Sequence, residues 1–175
     1  LPKNGLPNSV QPVFSFCGLF HVKQRLDNPG APSDNDSWRS GGFGLYVHWP
    51  YCLAKCPYCD FNSHAQKQPI LEAEYVAALL EDLSADLADV AGRKLNSIFI
   101  GGGTPSLFSA QAIERLLSGI RARIPFADDI EITLEANPGT VEAGRFAGYQ
   151  AAGVNRISIG VQSFDPQHLQ KLGRI

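Results

Sequence analysis

Cys52, Cys56 and Cys59, three of the four cysteines, fall within residues 46–64, which read YVHWPYCLAKCPYCDFNSH. The spacing is C-x3-C-x2-C, with Tyr58 directly before the last thiol. Thiols this close cannot all pair as disulfides, because one is always left over. They can hold a metal centre. A structural zinc takes four protein ligands in a closed tetrahedron, and His48, Asp60 or His64 could supply the fourth. An iron–sulfur cube also has four corners, with cysteine thiolate as its usual ligand. Three cysteines would leave one iron open to a substrate or cofactor.

Other residues able to do chemistry follow at intervals. Gly101-Gly102-Gly103-Thr104-Pro105 lets a backbone approach a ligand closely. Its N–H groups could hold a carboxylate and its carbonyls an ammonium. It is not a Walker loop, for no Gly-Lys-Ser/Thr follows, and it lacks the dinucleotide spacing. Glu135 could accept from ribose hydroxyls or an ammonium, or pair with Arg156. Gln162 brings a neutral amide and Arg174 a guanidinium, and turn or surface roles would equally account for both.

These residues must be positioned by folded elements. Residues 43–49 read as a buried strand rich in aromatic and β-branched side chains. The cysteine loop follows. A helix is expected over about 71–90, with Tyr75, Leu79, Leu83 and Leu87 every fourth residue, Val76 and Leu80 beside them, and Gly92 as its cap. Residues 95–100 form a second strand, and Ser109 caps a second helix carrying Ile113, Leu116, Leu117 and Ile120 on one face. Residues 130–134 make a third strand ending at Glu135. Asn137-Pro138-Gly139 is a turn, and Thr140 caps a third helix closed by Gly153. Residues 156–160 make a fourth strand, and Asp165-Pro166 starts a short helix stopped by Gly173. The order is βα four times, which implies parallel strands with right-handed crossovers. A doubly wound sheet and part of a βα barrel both fit. In either, ligands gather at the carboxyl ends of strands, where every special stretch here lies.

Residues 1–41 show neither period, and Pro2, Pro7, Pro12, Pro29 and Pro32 interrupt them. They read as a disordered or poorly docked leader to a domain over 42–175. Cys17 has no partner at ligand spacing and reads as inert. The net charge of −2 calls for neither nucleic acid nor an anionic membrane as partner. No apolar run approaches the roughly 20 residues of a transmembrane segment. The basic Lys23 and Arg25 follow the short apolar run at 14–20, the wrong order for a secretory signal. Clustered thiols without a paired framework suit a reducing, cytoplasmic setting.

The cysteine spacing with its aromatic resembles the signature of the radical S-adenosylmethionine (SAM) superfamily. The wider string YVHWPYC…CPYCDFNSH is similar to the branch of the oxygen-independent coproporphyrinogen III oxidases and their HemW-type haem-chaperone relatives. The resemblance runs from about residue 42 to 175. It implies the first part of a partial (βα) TIM-like barrel. It also implies a 4Fe-4S cluster on Cys52, Cys56 and Cys59, with SAM bound at the open iron and split to a 5′-deoxyadenosyl radical. It carries Gly102, Gly103, Thr104, Glu135, Gln162, Arg174 and Tyr46 over as SAM contacts, with Tyr58 along the adenine or beside the cluster.

Two functions of different class follow from that branch. One is oxidative decarboxylation of coproporphyrinogen propionates. The other is a chaperone that binds haem as cargo and delivers it to recipient haem proteins, with an electron donor serving the cluster. The oxidases resemble one another in a further cysteine two residues after the third ligand. Phe61 stands there in this chain, which favours the chaperone. His48 and His64 lie close by, and no pattern assigns haem to either. The chain begins with Leu, lacks methionine and ends at Ile175 inside a repeating pattern. It is therefore expected to be the front of a longer barrel and to fold poorly alone, with an unpaired strand edge.

Overall fold

The computed structural model describes residues 14–18, 42–138 and 143–174. Its main sheet has the order β1 (Phe14–Gly18), β2 (Phe43–Trp49), β5 (Leu95–Gly102), β6 (Phe126–Ala136) and β7 (Arg156–Ile159). β2, β5, β6 and β7 are parallel neighbours, and β1 joins the β2 edge antiparallel, with Phe14 opposite Val47. Two short strands, β3 (Tyr51–Cys52) and β4 (His64–Ala65), pair separately. The helices are α1 (Glu72–Ala85), α2 (Ala110–Arg121), α3 (Ala143–Ala151) and α4 (Pro166–Lys171). Four parallel strands alternating with helices are the expected βα order.

The two sheet faces differ in chemistry because side chains alternate along each strand. Leu45, Val47, Trp49, Ile98, Ile100, Ile132 and Leu134 form one face and are buried. They pack with Tyr75, Leu79, Leu83, Ile113, Leu116 and Ile120 from α1 and α2 in a single core. The opposite face carries Tyr46, His48, Phe99, Thr133, Glu135 and Ser158, brought into rows by the parallel register. The apolar face settles how the sheet sits against its helices. Of the opposite face, Glu135 and Ser158, toward the carboxyl ends of their strands, line the cavity described below.

The caps at Ser109 and Asp165 form as predicted. Ser109 Oγ accepts from Ala112 N at 3.1 Å and Asp165 Oδ1 from Gln167 N at 2.8 Å. The helix expected over 71–90 ends at Ala85 and gives way to a 3-10 turn over Leu87–Val90, so Leu87 is only partly buried. β6 extends further back than expected, to Phe126, with a register slip opposite β5 between Leu95 and Ser97. β1 lies within the stretch read as a leader. The Thr140 cap lies outside the described residues.

Candidate functional site

The site begins where β2 ends. Pro50 breaks the strand, and β3 and β4 clasp the base of the loop between them, with His64 N donating to Pro50 O at 2.7 Å and Gln66 N to Cys52 O at 2.7 Å. Within the loop, Cys59 N donates to Cys56 O at 3.1 Å, closing a turn with Pro57 at its second position. That is where proline's fixed φ suits a turn. Cys52 is buried, Cys56 and Cys59 are half-buried, and all three are free thiols.

The loop is seated against the glycine run. Gly103 N donates to Trp49 O at 2.6 Å and Thr104 N to Tyr51 O at 2.8 Å. Gly102 has φ +113, and a Cβ there would stand 2.7 Å from the His48 ring. A Cβ on Gly103 would meet Tyr51 O at 2.6 Å and Cys52 Sγ at 3.0 Å. The glycines are thus required by close approach to the cysteine loop. The amides of Gly102, Gly103 and Thr104 are spent within the fold, the first on Glu135 Oε2. The expectation that they would hold a carboxylate is therefore corrected, and the Thr104 carbonyl is likewise taken, by Leu107 N at 3.0 Å.

A cavity of about 160 Å³ opens between these parts. Cys52, Cys56, Cys59 and Tyr58 line one wall, and Gly102, Gly103 and Thr104 the floor. Glu135, Gln162 and Arg174 complete the lining. Ten of the expected site residues therefore share one cavity. Tyr46 does not line it; its hydroxyl lies 3.0 Å from His48 Nδ1, and its ring stacks on Phe99. Glu135 does not pair with Arg156, whose partner is Glu131 at 2.8 Å. Gln162 holds φ +65, a strained conformation for a residue with a side chain.

Arg174 binds the parts together. Its Nη2 donates to Gly160 O at 2.6 Å and Asn137 Oδ1 at 2.9 Å, and its Nη1 reaches Cys56 Sγ at 3.6 Å. Asn137 in turn donates to Thr104 Oγ1 at 3.1 Å. Asn137, read from sequence as a turn residue, is thus a hub of the rim, and Ser158 lines the cavity unannounced. An asparagine before proline at a strand end was the available signal for the first; nothing local marks the second.

Electrostatics follow the burial. Tyr58 is 46% exposed, yet its hydroxyl pKa is raised, by desolvation first and then by its hydrogen bond to Cys56. Burial and then the charge of Glu135 raise that of Tyr46. His48 is buried with both ring nitrogens engaged: Nε2 lies 2.7 Å from Asn62 O. A carbonyl only accepts, so Nε2 carries the proton and Tyr46 donates to Nδ1. His48 is therefore spent as a metal ligand, contrary to its candidacy for completing a zinc site.

The donor set is that of a three-thiolate cluster with a cationic, amino-acid-bearing ligand beside it. Three free thiols, one carboxylate and the glycine run line one cavity, and the glycines leave room beside the sulfurs. These residues fit. Among the described residues no three His, Cys, Asp or Glu side chains gather tightly enough for a single metal ion. A cube, which takes each thiolate on a separate iron, asks for no such convergence.

Comparison with known proteins agrees with this chemistry. The family model described as Radical SAM superfamily matches residues 46–175. The chain is 63% identical over 131 residues to "Heme chaperone HemW" of Escherichia coli strain K12, covering 75% of this chain and 35% of that protein. It is 40% identical over 153 residues to the Mus musculus "Radical S-adenosyl methionine domain-containing protein 1, mitochondrial", covering 87% and 34%. Among solved structures it resembles the E. coli coproporphyrinogen III oxidase HemN, described as a radical SAM enzyme. There the TM-score is 0.68 at 32% identity, covering 74% of this chain and 30% of that one. The chain thus spans about a third of the length of the curated relatives it matches.

Proposed function

We propose, for a chain that belongs to the Radical SAM superfamily, a haem chaperone that carries a 4Fe-4S cluster and SAM and passes haem to recipient haem proteins. The observation that carries the chemistry is the single cavity walled by Cys52, Cys56 and Cys59 and floored by the glycine run. The 63% identity to a heme chaperone supports the function. Phe61 supports it too, since it stands where the porphyrinogen oxidases have a further cysteine. The likeness to a coproporphyrinogen III oxidase structure keeps porphyrinogen decarboxylation as the second reading.

Cys52, Cys56 and Cys59 hold the cluster in this reading. The carbonyls of the glycine run and the Glu135 carboxylate receive the ammonium and ribose hydroxyls of SAM. Arg174 and Gln162 orient its remaining polar groups, and Tyr58, at the mouth, covers the adenine. When bound, the cluster supplies an electron to SAM. An external electron donor and a cytoplasmic setting go with this reading. No helix among the described residues is long and apolar enough to cross a membrane.

The test is anaerobic reconstitution with iron and sulfide, with Cys52, Cys56 and Cys59 each changed to Ala as controls. About four irons and four sulfides per chain, lost in the controls, are expected. Zinc retained without labile sulfide would sink the reading. Haem titration alongside coproporphyrinogen turnover then separates chaperone from oxidase: tight haem binding without turnover is expected, and turnover overturns the chaperone.

A further inference from the structure

Ser63 is only 2% exposed and polar. Its amide donates to Phe61 O at 2.7 Å, and the next amide, His64 N, donates to Pro50 O at 2.7 Å. The backbone on either side of the side chain is thereby pinned to the clasp of the cysteine loop. The hydroxyl lies 3.6 Å from Cys59 Sγ. Cys59 is itself held by its amide bond to Cys56 O. Backbone bonds thus hold the chain at both ends of this contact.

A neutral thiol and a hydroxyl can each donate to the other. A thiolate can only accept, so with Cys59 as a ligand the serine proton must point at sulfur. Such a bond draws electron density from the sulfur. The reduced cluster carries one more negative charge than the oxidised one and gains more from the donor. Hydrogen bonds to ligand sulfurs are among the levers that set cluster potentials.

We propose that Ser63 is a positioning residue for the cluster, whose buried hydroxyl donates to Cys59 Sγ and makes the cluster easier to reduce. The inference rests on the three-thiolate reading above. No bond at Ser63 breaks. One electron passes from an external reductant to the cluster, and the serine proton stays on oxygen.

The test is a redox titration with dithionite of the reconstituted protein, followed by electron paramagnetic resonance, for wild type, Ser63→Ala and Ser63→Thr. At equal iron content, Ser63→Ala is expected to shift the reduction equilibrium against the reduced form by about tenfold, which is about 59 mV for one electron. Ser63→Thr, which keeps the hydroxyl, is expected to restore it. An unchanged potential in Ser63→Ala overturns the proposal. So does iron lost from Ser63→Ala but held by Ser63→Thr, which would make the hydroxyl a structural support; iron lost from both would make Ser63 a packing residue. A wild type that takes up no cluster instead overturns the reading beneath it.

Discussion

Glu135 Oε2 accepts the amide hydrogen of Gly102 at 3.1 Å, joining the tip of β6 to the glycine run of β5. One carboxylate oxygen is occupied by the fold, and the residue still lines the cavity. Glu135→Gln keeps the size and an acceptor but removes the charge. SAM affinity is expected to fall about tenfold, roughly 1.4 kcal/mol, with iron content unchanged. Calorimetric titration checks this; equal affinity would remove Glu135 from the site.

Arg174 spans acceptors on the β6 rim, the β7 tip and the cysteine loop. Lysine keeps the charge but cannot reproduce a planar fork. Arg174→Lys is therefore expected to weaken SAM binding by about tenfold. A lysine that binds SAM as tightly as arginine would show that charge alone matters here.

Gly103→Ala drives a Cβ into Tyr51 O and toward Cys52 Sγ, neither of which is the free end of a flexible side chain. Iron retention under chelator challenge is expected to fall about tenfold or more. Gly119→Ala is the matched control, because its Cβ meets the tip of Leu80. Equal iron loss in the two variants would mean general unfolding.

Tyr75 donates to His48 O at 2.8 Å from the base of the core. Burial holds its pKa well above the ordinary tyrosine value of 10.0. The folded chain keeps this proton where the unfolded chain loses it, so the contribution is whole below pH 10.0 and is lost as pH rises beyond. Tyr75→Phe leaves a buried carbonyl without its donor and is expected to cost about 1–3 kcal/mol at neutral pH. It should also flatten the alkaline fall in stability, which denaturant titrations at pH 8 and above pH 10 would measure.

The βα order was legible because apolar stripes on Tyr75, Leu79 and Leu83 and the buried strand residues obey the two backbone periods. The rim residues were legible because parallel strands put their carboxyl ends on one side. What escaped depends on register between distant segments. Asn137 gains its role only when β6 brings it beside Thr104 and Arg174, and Ser63 only when the clasp turns it toward Cys59. The five residues of β1 carry no signal of their edge pairing, since their partner strand lies far along the chain. The glycine amides looked free for a ligand because their acceptors, Trp49 O and Tyr51 O, belong to another element.

Arg174 and Cys56 touch across 118 residues of chain. On a ribosome adding about 5–20 residues per second, Cys56 would emerge roughly 6 to 24 seconds before the arginine that reaches it. During that interval the nascent loop meets the cell's oxidants and stray metals without that contact. On the proposed reading, delivery of iron and sulfide is best timed after synthesis has passed Arg174, and slowing translation upstream of it should raise the fraction of chains that are miscoordinated.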